Sequence, residues 1–317
     1  MRKFLRAGLV ILGLMASSTA LAKTPQASIA LTFDDLPALT ILNEQRYINY
    51  LNATILRGLK RHHIPATAFV NEGKLGENDR AQQIAVLKSW LAAGMDLGNH
   101  TYSHESPNKL GAEGYIADIE RGEPVIRDLL AARHRRIVWF RHPFLETGTP
   151  EAVKAEIDKW LQAHGYRIAP VTIDADDWEF AEPYDYSIAR HDEAQRKRIR
   201  AQYLAYTAEM IRWYRHAAHD LFGRDIAYVM LLHATRLNAD CIDELAAMLK
   251  RENLKPVSLA TALRDPAYRI HDPYSGKDGI EWQERWSMEL HKSLPWASFH
   301  DVPKDIELEY DKVDRDR

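Results

Sequence analysis

A distorted α/β barrel of seven or eight strand–helix units, followed by an irregular C-terminal extension, is the architecture that this 317-residue chain predicts. Two observations carry the prediction. Short apolar or β-branched runs alternate with long amphipathic stretches, the pattern of parallel strands joined by helical crossovers. Polar clusters also recur where the apolar runs end, and in a parallel barrel those ends share one face. An open doubly wound sheet would give the same alternation. Seven units without a break, and the placing of the clusters, favour a single barrel, for which ~250 residues is an ordinary length.

The strands expected in order are SIALTF (28–33), ATAFV (66–70), MDLG (95–98), IVWF (137–140), RIAPVTID (167–174), IAYVMLL (226–232) and KPVSL (255–259). Between them run helical patterns such as INYLNATILRGLKRHH, AQQIAVLKSWLAAG and EAVKAEIDKWLQAHG, and one long helix from about Glu193 to Leu221. The first 22 residues, with Arg2, Lys3 and Arg6, an apolar run and Ala20-Leu21-Ala22, read as an export signal. The divisions expected are therefore 1–22 as signal, 23–265 as barrel and 266–317 as extension, giving a soluble protein exported to the periplasm or secreted. No later run approaches the ~18 apolar residues of a membrane span. Trp282, Trp286 and Trp296 would dock the extension by aromatic burial, or else line a sugar groove, and the last ten residues look solvated.

Composition narrows the function. A formal net charge of −3, more negative once the three basic leader residues are gone, gives no footprint for nucleic acid. The one cysteine cannot form an internal disulfide, so stability must come from the core. Cys241 lies in a helical pattern and reads as a small buried apolar residue. His216 and His219 fall within a crossover helix and read as helix surface.

The clusters at the strand ends carry the chemistry, and each has an ordinary reading too. LTFDDLP places Asp34 and Asp35 together, as an Asp-rich turn would. His100 and His104 in NHTYSH have a spacing that puts two imidazoles on one face of a helical turn, where they can bind one metal. That spacing alone is weak in a chain with 14 histidines. A third ligand from the DD pair would leave open positions on zinc, and the other Asp would be free to act as a base. Arg141 in RHPF offers a cation to pair with a carboxylate, or is a surface residue before a turn proline; His142 reads as exposed and incidental. DADDW, Asp174 to Trp178, is a solvated acidic loop unless its carboxylates find partners. His233 ends an apolar strand, as a core histidine or as a general acid kept protonated by an acid such as Asp177.

Taken jointly and in this order, TFDD, H-T-x-x-H, R-x-P, D-x-x-D-W and L-x-H resemble the polysaccharide deacetylases with a NodB-homology domain, carbohydrate esterase family 4. The likeness spans Thr32 to His233. It implies Asp35, His100 and His104 as ligands of a divalent metal, zinc above cobalt or another ion, and Asp34 as general base. It further implies Arg141 orienting Asp34, His233 as general acid and Asp177 tuning it. Trp178 and Leu231 would wall a pocket for the acetyl methyl, and the Phe144 N–H would bind the developing oxyanion. The implied function is removal of N-acetyl groups from a peptidoglycan- or chitin-like N-acetylglucosamine glycan. The alternatives are O-acetyl ester cleavage on the same fold, or a non-catalytic glycan-binding module. Two positions depart from the common pattern: Leu36 replaces a glycine, which bears on the turn, and Phe144 replaces a tyrosine.

Overall fold

Seven parallel strands, β1 (Ala27–Leu36), β2 (Ala66–Val70), β3 (Asp96–Asn99), β4 (Trp139–Phe140), β5 (Arg167–Ile168), β6 (Ala227–His233) and β7 (Leu254–Pro256), form one curled sheet in the computed structural model, which describes residues 26–314. The strand order is β5-β4-β3-β2-β1-β6. All seven expected strands are present, and the leader-like segment 1–22 lies outside the described residues. β7 pairs with Ala27–Ile29 of β1. Because Ser28 and Ile29 also pair with β6, β7 occupies the opposite edge, below the point where β2 takes over at Leu31.

The two ends of the sheet meet at a seam. Pro170, which has no N–H to donate, interrupts the strand begun by β5. The chain beyond it still runs beside β6, where Ile173 bridges Met230 and Leu231 N–H donates to the Ile173 carbonyl at 3.0 Å. No eighth strand fills this side among the described residues, so the count settles at seven.

The helices are α1 (Gln45–Arg61), α2 (Arg80–Ala92), α3 (Pro107–Arg121), α4 (Pro124–Ala131), α5 (Glu151–Ala163), α6 (Asp177–Ala189), α7 (Glu193–Phe222), α8 (Arg236–Arg251), α9 (Leu259–Ala262), α10 (Trp282–Glu289) and α11 (Lys304–Val313). Local chemistry sets several ends. Asp79 caps α2 by accepting from Ala81 N and Gln82 N, Thr235 caps α8 by accepting from Asn238 N, and Gly223, at φ 69°, closes α7 in the left-handed conformation. On α1, Ile48, Leu51, Ile55 and Leu59 form the helical stripe that packs on the sheet.

Period-two alternation decides what reaches the barrel interior. Ile29, Leu31 and Phe33 of β1 and Tyr228, Met230 and Leu232 of β6 join the large core under the helices. Ala30 and Val229 instead join Phe69, Trp139 and Ala169 in a separate inner cluster, plugged by Leu259 and Ala262 of α9. The same inner face therefore carries Thr32 and Asp34 on β1, and Leu231 and His233 on β6.

The segment after residue 265 lies along the seam. Trp282 N–H donates to the Val171 carbonyl (2.8 Å), and Gln283 Nε2 to the Thr172 carbonyl (2.9 Å). Trp286, fully buried, meets Phe222 and Tyr268 edge-on; at ~25 cal/mol per Å2, such a ring contributes on the order of 4 kcal/mol. Trp282 is also buried, whereas Trp296 stays half exposed beside Trp213 and Phe299. The C-terminal end is less solvated than its charge suggests, because α11 buries Ile306 and Tyr310.

Candidate active site

β1 delivers both acids to the barrel mouth by breaking its own regularity. Its register with β2 shifts between Phe33 and Leu36, and Asp35 takes a left-handed φ of 64°. Asp34 follows the alternation inward, while the kink turns Asp35 back to the same mouth and sends Leu36 into the core, fully buried. Leu36 thus needs no glycine: the left-handed position is one residue earlier.

Arg141, fully buried, is bound on three sides. Its Nη1 donates to Asp34 Oδ2 (3.0 Å), Nη2 to Thr32 Oγ1 (3.0 Å) and Nε to the Ala169 carbonyl (2.8 Å). The ordinary reading as a surface arginine fails here. Burial pushes the Asp34 carboxyl up to about 6, and the Arg141 charge offsets only part of that. Asp34 Oδ1 has no hydrogen-bond partner.

His100 directly follows β3, and its Nδ1 is bonded to the Arg141 carbonyl at 2.8 Å, which leaves Nε2 facing the acids. His104 reaches the same place through a loop. Thr101 and His104 both have positive φ, and no helical turn joins the two histidines, so the spacing works by a different geometry from the one expected. His100 Nε2 and His104 Nε2 lie 3.6 and 3.4 Å from Asp35 Oδ1. Ligand atoms of Asp35, His100 and His104 all fall within 4.8 Å of one another. Burial drives the His100 pKa well down, which keeps the imidazole neutral. Burial would raise Asp35, but Lys74, 3.3 Å away, and the surrounding imidazoles reverse this and hold it well below the usual carboxylate range. Two neutral-capable imidazoles and one ionised carboxylate, whose Oδ1 is buried without a hydrogen bond, suit a divalent ion, with the His100 Nδ1 bond fixing its ligand tautomer.

Across the mouth, His233 lies opposite Asp34 in the β1–β6 register. Asp177 Oδ1 sits 2.7 Å from His233 Nδ1, and Asp177 Oδ2 accepts from His233 N (2.8 Å) and from Asn238 Nδ2. Burial would lower the His233 pKa; Asp177 outweighs it and lifts it to about 9. The DADDW segment is not a solvated loop. Asp174 and Asp177 are buried, and burial raises Asp176 to about 6.

Trp178, Leu231 and Phe144 line the same cleft of about 960 Å3 as Asp34, Asp35, His100, His104 and His233. Phe144 has φ 55°, is exposed, and meets the His104 ring edge-on at 4.5 Å. His142, expected to be exposed, is instead buried, parallel to Tyr115 and 3.1 Å from its hydroxyl, because alternation after β4 turns it under α3. Cys241 is buried with its thiol pushed up to about 12, and His216 and His219 are exposed on α7, as expected.

Sequence reasoning missed Lys74, Asn71 and Asn238. Asn71 Nδ2 holds the His100 carbonyl (2.5 Å). The available signal was position: Asn71 directly follows β2, and Asn238 is the residue that the Thr235 cap receives.

Residues 22–169 match the family model described as polysaccharide deacetylase, which takes in the first three clusters and stops short of Asp177 and His233. A peptidoglycan-N-acetylglucosamine deacetylase from Bacillus cereus is 28% identical over 155 residues, 49% of this chain and 47% of that protein, so the chain spans about half the length of that curated relative. Among solved structures, a polysaccharide deacetylase from Bacillus cereus is 19% identical with a TM-score of 0.51, over 73% of this chain and 91% of the other. A mutant of a Bacillus anthracis family pseudoenzyme, with restored activity, is 21% identical with a TM-score of 0.52, over 76% and 69%. At these identities the structural likeness is one of fold. Over residues 22–169 the chain is similar to the polysaccharide deacetylases, and its described fold is that of carbohydrate esterase family 4.

Proposed function

We propose that the protein is an exported, metal-dependent deacetylase that hydrolyses N-acetyl groups of an N-acetylglucosamine glycan, peptidoglycan- or chitin-like. One observation carries the reading: a three-residue ligand set lies between an acid held by Arg141 and a histidine held by Asp177, in one cleft. Export is supported by the leader-like residues 1–22, and no helix among the described residues is long and apolar enough to cross a membrane.

Asp35, His100 and His104 would hold the ion, zinc before cobalt or another divalent metal, which when bound supplies Lewis acidity to the acyl carbonyl and to attacking water. Asp34 accepts the proton from that water through Oδ1, while Arg141 fixes Oδ2 and the carboxylate plane. The Phe144 N–H donates to the oxygen on which charge grows. His233 transfers its Nε2 proton to the departing nitrogen, without which an amine leaves very slowly, and Asp177 keeps that proton in place beforehand. Trp178 and Leu231 wall the methyl pocket. Domain limits of 23–265 for the barrel and 266–317 for the extension belong to the same proposal.

The test is acetate release from chitooligosaccharides, peptidoglycan and acetylxylan, with and without a chelator. Chelator-sensitive release from the N-acetylated substrates is expected. Release from acetylxylan alone would replace the reading with an O-acetyl esterase; no release from any would leave a glycan-binding module.

A further inference from the structure

We infer that the C-terminal extension sets the acyl pocket: Tyr310 of α11 positions Trp178, and the Gly279–Arg285 stretch positions the Phe144 loop, so that together they determine which acyl group is accepted. The inference rests on the deacetylase reading. It concerns a segment outside the part of the chain that matches the family.

Trp178 stands in the first turn of α6, directly after Asp177. Its ring meets Tyr310 edge-on, centroids 5.0 Å apart at 82°. The pair divides two hollows, because both rings line the reactive cleft and both line a smaller cavity of about 360 Å3 beyond it. A partition between two spaces has no packed core behind it. Without the Tyr310 ring, the indole would have room to swing out of the cleft into the second cavity, and the acyl pocket would lose a side.

Tyr310 is held firmly enough for this task. On α11, Ile306 is fully buried, and Arg198 of α7 pairs with both Asp305 (2.5 Å) and Glu309. Gln195 Nε2 also donates to Glu309 (3.0 Å).

The second contact is made at Phe144. A Cβ on Gly279 would lie 1.6 Å from the Phe144 carbonyl oxygen, so the extension's backbone passes where no side chain fits. Arg285, fully buried, donates through Nη2 to the Leu145 carbonyl (2.7 Å) and is itself paired with Asp272 (2.9 Å). The left-handed Phe144 is thus contacted both by the extension, at its backbone, and by His104, at its ring. Both residues are positioning groups: they act through Trp178 and Phe144.

The experiment compares kcat/KM for one glucosamine oligosaccharide carrying N-acetyl, N-propionyl or N-butyryl groups. Tyr310→Ala should cut the acetyl-over-butyryl ratio by about tenfold, the scale of a pocket wall gained or lost. Tyr310→Phe, which keeps the ring edge, should retain the parent ratio. If the alanine variant does not fold, Tyr310→Leu gives the same readout with most of the volume kept. Gly279→Ala should lower kcat for the acetyl substrate more than it changes KM. A ratio unchanged within about twofold in the alanine or leucine variant, with an active parent, overturns the inference alone. No acetate release by the parent overturns the deacetylase reading and the inference with it.

Discussion

On the β1, β3 and β4 side of the cleft, each reactive group is fixed by a residue on an adjoining strand. Arg141 reaches from β4 to Thr32 and Asp34 on β1, and its carbonyl takes His100 from just after β3. On the seam side, order comes from helices: Asp177 of α6 holds His233, Asn238 of α8 holds Asp177, and Tyr310 of α11 backs Trp178. The first side is set by strand register; the second is a closure made where a regular eighth strand is missing among the described residues. The difference teaches that one candidate site can join a half positioned by the sheet to a half positioned by helices and an extension.

The sharpest way to break the first side is Asp34→Asn. It keeps the shape and removes the base, so kcat for acetate release should fall by about 10^3-fold, with an unchanged circular dichroism spectrum. A fall below about tenfold would remove Asp34 from the proton transfer. On the seam side, Arg285→Met should remove the buried guanidinium from the Leu145 carbonyl and from Asp272, which keeps only the Lys154 cation, at 3.6 Å. A loss of about 3 kcal/mol in urea unfolding is expected, and a loss below about 1 kcal/mol would show the extension to be only loosely joined.

Asp177→Asn separates the sides by pH. On the proposed mechanism His233 must carry its proton, and Asp177 lifts its pKa to about 9, so activity should be retained through neutrality and lost as pH rises through about 9. In the variant the alkaline limb of kcat/KM should move toward the ordinary histidine value of about 6.5. A limb that stays at its parent position would dissociate His233 from that limb. The smallest effect belongs to His216→Ala with His219→Ala, exposed on α7: bound metal should be unaltered by elemental analysis and stability changed by less than about 0.5 kcal/mol. Loss of metal there would place a ligand outside the mouth.

How far the site could be read in the sequence follows the same division. Strand ends announce themselves, because an apolar run that stops at a polar cluster is a local pattern; Asp34, Asp35, His100, Arg141 and His233 were all found that way. Conformation within a cluster was less visible. Nothing in NHTYSH distinguishes a helical turn from a loop with left-handed residues at Thr101 and His104, and the sense in which His142 turns depends on α3 covering that side of β4. Partners such as Lys74 and Tyr310 were out of reach, since only the fold brings them near. The tail's charge similarly hid its burial: Ile306 and Tyr310 are the two buried residues of a helix that also carries six charged side chains.

The guanidinium of Arg285 bears on how this protein can be cut and recombined. It reaches from the extension to the carbonyl of Leu145, beside the proposed oxyanion donor, and a chain shortened after residue 265 loses that link together with Tyr310 and the aromatic cover of the seam. Such a fragment would not be a minimal enzyme but an unfinished one. The unit to be transplanted, fused or expressed by itself includes α11.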